Sequence, residues 1–242
     1  MSDAVLELPD AMKSGMTLAY HTQQAPDRMA VITDFGERTF GELNARANQL
    51  ARVFREAGLR PDDGVAMLLT NRPEFAEVYY ACMRAGFRVT PINWHLTGDN
   101  ASYIVDNSEA KAFIADVRCS ESAIEALRDN HSQLKVALAA GGSIEGFDDY
   151  DDVVTAQDPS NIEDPDIGSQ MLYTSGTTGR PKGVYRERNP QAAAGSTTVT
   201  RTATAASWNP ETDRALMTGP AYHAAPLAFN LTAPSLPASG RC

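Results

Sequence analysis

Between Met171 and Val184 the chain reads MLYTSGTTGRPKGV, and this stretch concentrates the residues best suited to chemistry. Thr174, Ser175, Thr177 and Thr178 supply hydroxyls, Gly176 and Gly179 free the backbone, and Arg180 and Lys182 bring positive charge on either side of Pro181. Glycine lets several backbone N–H groups converge on one anion, hydroxyls add donors, and a lysine ammonium adds a mobile point charge. Such a donor set suits a chain of phosphates. The competing reading is a flexible Gly/Ser/Thr linker. Against it stand the apolar run Met171-Leu172-Tyr173, which reads as a buried strand, and Gly183-Val184-Tyr185, which can resume one. A Walker A loop is excluded, because G-x-x-x-x-G-K-[ST] needs a glycine where Pro181 stands when counting from Gly176, and the count from Gly179 fails too.

The elements that must position this loop show in the hydrophobic spacing. Phe40, Leu43, Ala47, Leu50, Ala51 and Phe54 recur at three and four, which predicts an amphipathic helix from Phe40 to Leu59. Thr39 and Glu42 form a capping-box pattern at its start. A helix opening at Asn71-Arg72-Pro73 carries Phe75, Val78, Tyr79, Cys82 and Met83 on one face. Further helices are expected over 99–107, 120–130 and 189–207, with a short one near 148–155. Short apolar strands are expected over 65–69, 88–92, 111–115, 134–139 and 214–218. Strand and helix alternate, so the expected fold class is α/β, with parallel sheets flanked by helices on both faces. The acidic stretch from Gly141 to Asp166 reads as a solvated connection without chemistry of its own.

The 242 residues are 43% hydrophobic and 21% charged, a globular composition, and the net charge of -10 argues against general nucleic-acid binding. Cys82, Cys119 and Cys242 are too scattered for a zinc site and read as reduced structural thiols. The first residues lack the basic start and apolar run of a secretory signal, and no apolar stretch approaches a membrane span. The expected location is cytoplasmic, with peripheral membrane contact left open.

From Tyr173 to Val184 the chain resembles, without gap or mismatch, the Y-T-S-G-T-T-G-x-P-K-G-V signature of the AMP-forming acyl-adenylate synthetases: acyl-CoA synthetases, adenylation domains of peptide synthetases, and luciferases. Thr39-Phe40-Gly41-Glu42-Leu43 is similar to the family's T-[FY]-x-E-L segment, and Ala85-Gly86 with Pro91-Ile92-Asn93 to its A-G-x-x-x-x-P-[IL]-[ND] segment. Pro220-Ala221-Tyr222-His223-Ala224-Ala225-Pro226 resembles the P-x-[FY]-H-x-x-[PG] segment of the acyl-CoA synthetases, and Trp94-His95-Leu96-Thr97 also looks like that branch. One departure stands beside the loop: many relatives follow K-G-V with T-H-R-N or S-H-R-N, whereas here Tyr185-Arg186-Glu187-Arg188-Asn189 follows.

The resemblance implies a ligase that joins ATP and a carboxylic acid, a fatty acid or similar, into an acyl-adenylate and pyrophosphate, then passes the acyl group to coenzyme A, with Mg²⁺ as the metal cofactor. It implies that Thr174, Ser175, Gly176, Thr177, Thr178, Gly179 and Lys182 bind the ATP phosphates. Tyr222 and His223 would form the wall between acyl and nucleotide sites, His223 being the candidate catalytic residue; His21, His95 and His131 read as structural. The family's Y-G-x-T-E segment with its Mg²⁺-binding glutamate, its later T-G-D segment and its C-terminal domain have no counterpart, so no metal ligand is assigned. The expected organisation is a partial N-terminal AMP-binding domain over 1–230 and an unrelated tail over 231–242, from a disrupted frame or a premature end, leaving the chain alone inactive. A non-catalytic fragment and an amino-acid-activating adenylation domain are the alternatives.

Overall fold

The computed structural model describes residues 6–174, 180–185, 213–228 and 231. Two short helices, α1 (Leu8–Ser14) and α2 (Thr17–Gln24), precede an antiparallel hairpin of β1 (Met29–Thr33) and β2 (Gly36–Thr39). The chain then alternates: α3 (Phe40–Glu56), β3 (Gly64–Leu68), α4 (Pro73–Ala85), β4 (Arg88–Pro91), α5 (Gly98–Asn107), β5 (Ala110–Asp116), α6 (Ser120–Asn130), β6 (Val136–Ala140), β7 (Asp148–Asp149), α7 (Tyr150–Thr155) and β8 (Ser169–Gln170). Strands β3 to β8 form one six-stranded sheet in the order β7-β6-β5-β3-β4-β8, with every neighbouring pair parallel.

Alternation along the central strand explains the layers. Val65, Met67 and Leu69 face the core shared with α3 and α4, whereas Ala66 and Leu68 face the core beneath α5 and α6. Both faces are covered, so β3 is buried throughout, as a parallel strand requires. On α3 the residues at three and four, among them Leu43, Ala47, Leu50 and Phe54, lie almost wholly out of solvent. Each large side chain so buried contributes roughly 1.5–3 kcal/mol. The Thr39 amide donates to Glu42 Oε2 at 2.8 Å and the Glu42 amide to Thr39 Oγ1 at 3.1 Å, closing the capping box that the spacing predicts.

The acidic connection is held by its carbonyls more than by its carboxylates. Arg52 Nη1 donates to the carbonyls of Asp158 and Ser160, Arg55 to those of Glu163 and Asp164, Gln49 to Gln157 and Asn48 to Pro159. The polar face of α3 therefore carries this strap across the molecule to β8. At its end Gly168 passes so close to α4 that a Cβ would stand 2.4 Å from the Cys82 carbonyl oxygen.

Two expectations need correction, and one hairpin carries no clear sequence signal. Residues 214–218 form no strand: Leu216 is 84% exposed, and no described residue pairs with the segment in a ladder. The apolar run before the loop does not join the parallel sheet as a buried strand; β9 (Leu172–Thr174) is half-exposed and pairs antiparallel with β10 (Lys182–Val184). The β1–β2 hairpin was not foreseen, because its strands are half-exposed and lack a clean alternation. The helix expected over 189–207 lies outside the described residues, as does the tail beyond Leu231. Leu231 itself is buried, and its carbonyl accepts the Tyr80 hydroxyl at 2.8 Å. Burial pushes the Cys82 thiol well up and that of Cys119 to about 11, so both stay protonated and unreactive.

Candidate functional site

The loop is carried on the β9–β10 hairpin. Lys182 stands opposite Thr174, Gly183 opposite Tyr173 and Val184 opposite Leu172. A Cβ on Gly183 would lie 2.4 Å from Met171 Cε and 3.0 Å from Tyr173 Cζ, so glycine lets the Tyr173 ring lie across the partner strand. That ring is half-buried, its hydroxyl donates to Asn107 Oδ1 at 2.7 Å, and burial pushes the phenol up to about 12. Thr174 and Lys182 mark the open end of the hairpin and are both exposed. Among the described residues the contact of Thr174 Oγ1 is a long one, 3.5 Å, to the Lys182 carbonyl. Ser175, Gly176, Thr177, Thr178 and Gly179 lie outside the described residues. Just past them, the Arg180 guanidinium sits 4.9 Å from the Tyr103 ring centroid on α5.

The second group stands where β3 and β4 end. Asn71, three residues beyond β3, holds the returning chain with both ends of its amide: Nδ2 donates to the Gly219 carbonyl at 3.1 Å, and Oδ1 accepts the Ala221 amide at 2.9 Å. This fixes Tyr222 edge-on against Trp94, with ring centroids 4.8 Å apart and planes at 90°. His223 stacks obliquely on Tyr222 at 4.3 Å and leads into α8 (Ala224–Leu227). His223 is exposed; Tyr222 is half-buried, and burial raises its phenol. Trp94, Tyr222 and His223 thus make one aromatic wall at the carboxyl edge of the sheet, where α/β folds place their ligands.

The structure brings Thr174 together with Lys182, and Tyr222 together with His223. Among the described residues no hydrogen bond or ring contact joins one pair to the other. From the sequence Asn71 reads only as the opening of a helix; its place three residues beyond a buried central strand was its one signal. Among the described residues no three His, Cys, Asp or Glu side chains form a metal-ligand set.

Comparison with known proteins agrees with this architecture. The chain matches the family of AMP-binding enzymes over residues 18–236 and belongs to it. It is 29% identical over 179 residues to the fatty acid–[acyl-carrier-protein] ligase ScoC of Streptomyces coeruleorubidus, covering 74% of this chain and 34% of that protein. It is 34% identical over 173 residues to the 2-succinylbenzoate–CoA ligase of Bacillus licheniformis, covering 70% and 33%. Bacitracin synthase 3 of Bacillus licheniformis matches at 28% over 190 residues, 77% of this chain and 3% of that protein. The chain therefore spans about a third of the length of the curated ligases it matches. In fold it is similar to the o-succinylbenzoate CoA synthetase of Bacillus subtilis solved with its acyl-adenylate, with a TM-score of 0.69 at 22% identity over 90% of this chain and 53% of that one.

Proposed function

We propose that this chain carries the phosphate-binding part of an AMP-forming ligase that activates a carboxylic acid as its acyl-adenylate for transfer to a thiol. The observation that carries the reading is the exposed pair Thr174 and Lys182, set opposite each other at the mouth of a Gly/Thr-rich loop. Phosphoryl chemistry asks little covalent work of a protein and much electrostatic positioning. Lys182 offers an ammonium with three donors, and Thr174 a hydroxyl held only weakly, a donor set that fits a polyphosphate chain. ATP supplies the adenylyl group; the loop's backbone, Thr174 and Lys182 bind and orient its phosphates. Trp94 and Tyr222 offer an apolar face to the acid, and His223 borders that face at its exposed side. Magnesium and coenzyme A enter this reading through the family alone.

Calorimetric titration of the chain with ATP tests the assignment. Lys182→Ala is expected to weaken ATP binding by about tenfold or more, since a charge-assisted phosphate contact is lost. The thermal midpoint should hold, because an exposed lysine contributes little to stability. Unchanged affinity in that variant would remove Lys182 from the site.

The similarity to bacitracin synthase 3 favours a second reading, activation of an amino acid. The two differ in which acid tightens ATP binding: fatty or aryl carboxylates for the first, free amino acids for the second. The aromatic wall of Trp94 and Tyr222, with no charged partner for an α-ammonium among its own residues, supports the first.

A further inference from the structure

Among the described residues the β9–β10 hairpin pairs with itself alone and adds no strand to the six-stranded sheet. A two-stranded hairpin is marginal alone in water, so something else must fix the loop's direction. On the entry side the backbone is tied: the Met171 amide donates to the Val89 carbonyl at 3.0 Å. On the exit side β10 is exposed along its whole length. Tyr185 follows it directly, at the position where the sequence departs from the T-H-R-N pattern.

The Tyr185 hydroxyl donates to Asp62 Oδ2 at 3.1 Å, and its ring lies 5.3 Å from the Arg88 guanidinium carbon. Both partners sit on rigid ground. The Asp62 amide donates to the Gly86 carbonyl at 2.7 Å, and the Arg88 amide donates to the Asp63 carbonyl at 3.0 Å, which ties the turn before β3 to the start of β4. Arg88 is buried, and its Nη2 donates to the Ser108 carbonyl at 2.8 Å. Tyr173 reaches Asn107 at this same amino edge of the sheet. Two phenols, one from each stem of the hairpin, therefore grip the edge opposite the aromatic wall, and the open end with Thr174 and Lys182 is the end farther from the grip.

We propose that Tyr185 is a positioning residue that, with Asp62 and Arg88, clamps the exit strand of the loop to the amino edge of the sheet and so holds the phosphate-binding face in one orientation. The phosphate part of this statement rests on the proposed function; the clamp itself does not. Tyr185→Phe keeps the ring over Arg88 and loses the hydroxyl, Tyr185→Ala loses both, and Asp62→Asn keeps an acceptor while removing its charge.

Amide hydrogen exchange of residues 182–185 and ATP affinity, measured on the same 242-residue chain, test it. Tyr185→Ala is expected to speed exchange of these amides by about tenfold and to weaken ATP binding several-fold, with exchange in β3 and β5 and the thermal midpoint unchanged, because local opening is separable from global unfolding. Tyr185→Phe should fall between wild type and Tyr185→Ala in both measurements, and Asp62→Asn should stay near wild type. Unchanged exchange in Tyr185→Ala overturns the clamp, and so does faster exchange spread equally over β3 and β5, which would mean general destabilisation. If the wild-type chain binds no ATP, the phosphate reading fails while the exchange measurement still decides the clamp. If ATP binds and Tyr185→Ala alters exchange but not affinity, the orienting role is refuted.

Discussion

Helix α4 removes two opposite charges wholly from solvent, Glu77 and Arg84 two turns apart, and the protein treats them differently. Glu77 is wholly buried and meets Arg38 Nε at 2.8 Å, Arg46 Nε at 3.2 Å and the Tyr150 hydroxyl at 2.8 Å. Arg84 is equally buried but has no carboxylate partner among the described residues. Its Nη1 donates to the Asn44 and Asn48 side-chain oxygens, its Nε donates to the Tyr80 carbonyl, and Nη2 has no acceptor among the described residues. Burial without an anion pushes the Arg84 guanidinium down to about 9, which still leaves it charged at neutral pH. Glu77 gathers β2, α3 and α7 by charge. Arg84 fixes the start of the path to β8 by amides, since Asn44 and Asn48 both donate onward to Asn161 in the acidic strap. The lesson is that ion pairing and amide solvation both accommodate a buried charge, with different sensitivities: the first fails when one partner goes, the second degrades by degrees.

Denaturant unfolding can break this contrast. Glu77→Ala should destabilise the chain most, by about 3–5 kcal/mol, because Arg38, Arg46 and the Tyr150 hydroxyl lose their shared acceptor in a dry site. Arg84→Met should cost less, about 1–3 kcal/mol, since the lost desolvation penalty offsets part of what the stranded Asn44 and Asn48 oxygens lose. An equal cost at both positions would erase the distinction. The smallest effect is expected from Asn161→Ala, up to about 1 kcal/mol, because Asn161 is exposed and water replaces it.

A pH series sharpens the same comparison. The Arg84 pKa is lower folded than unfolded, so from about pH 9 upward the unfolded chain binds the extra proton. Stability from this group therefore rises with pH through that window, and its burden is fully present below pH 9. Wild type should gain on Arg84→Met as pH climbs from 9 to 11, with no change in their difference between 6 and 8; a flat difference throughout would mean that the guanidinium never releases its proton.

What the sequence revealed follows the range of the forces involved. Helix α3 was legible because the Thr39–Glu42 cap and the spacing of Leu43, Ala47, Leu50 and Phe54 are local. Strands β3 and β5 were legible because burial on both faces leaves unbroken apolar runs. The partners of Glu77 and Arg84 were not, since Arg38 lies 39 residues from Glu77 and only the fold brings them together. The strand expected over 214–218 failed because an apolar run needs a neighbouring edge, and here Leu216 meets solvent. In the candidate site, the aromatic pair Tyr222–His223 could be named from its segment, but not its support by Asn71 and Trp94 from far up the chain. The placement of Ser175 to Gly179 lies outside the described residues.

The position of β8 has a consequence for how the protein is made. Strands β3 to β6 come from one uninterrupted stretch, 64–140, and can pair as soon as that stretch is available. The outer side of β4 cannot: its partner pairs Arg88 with Ser169, about 80 residues later, a delay of roughly 4–16 s at the usual pace of translation. For that interval a strand that ends fully buried has one bare row of amides and carbonyls, a template for any other extended chain nearby. During synthesis the strap of carbonyls laid along α3 is thus also a timing device, because docking it delivers β8 to the open edge and ends the exposure.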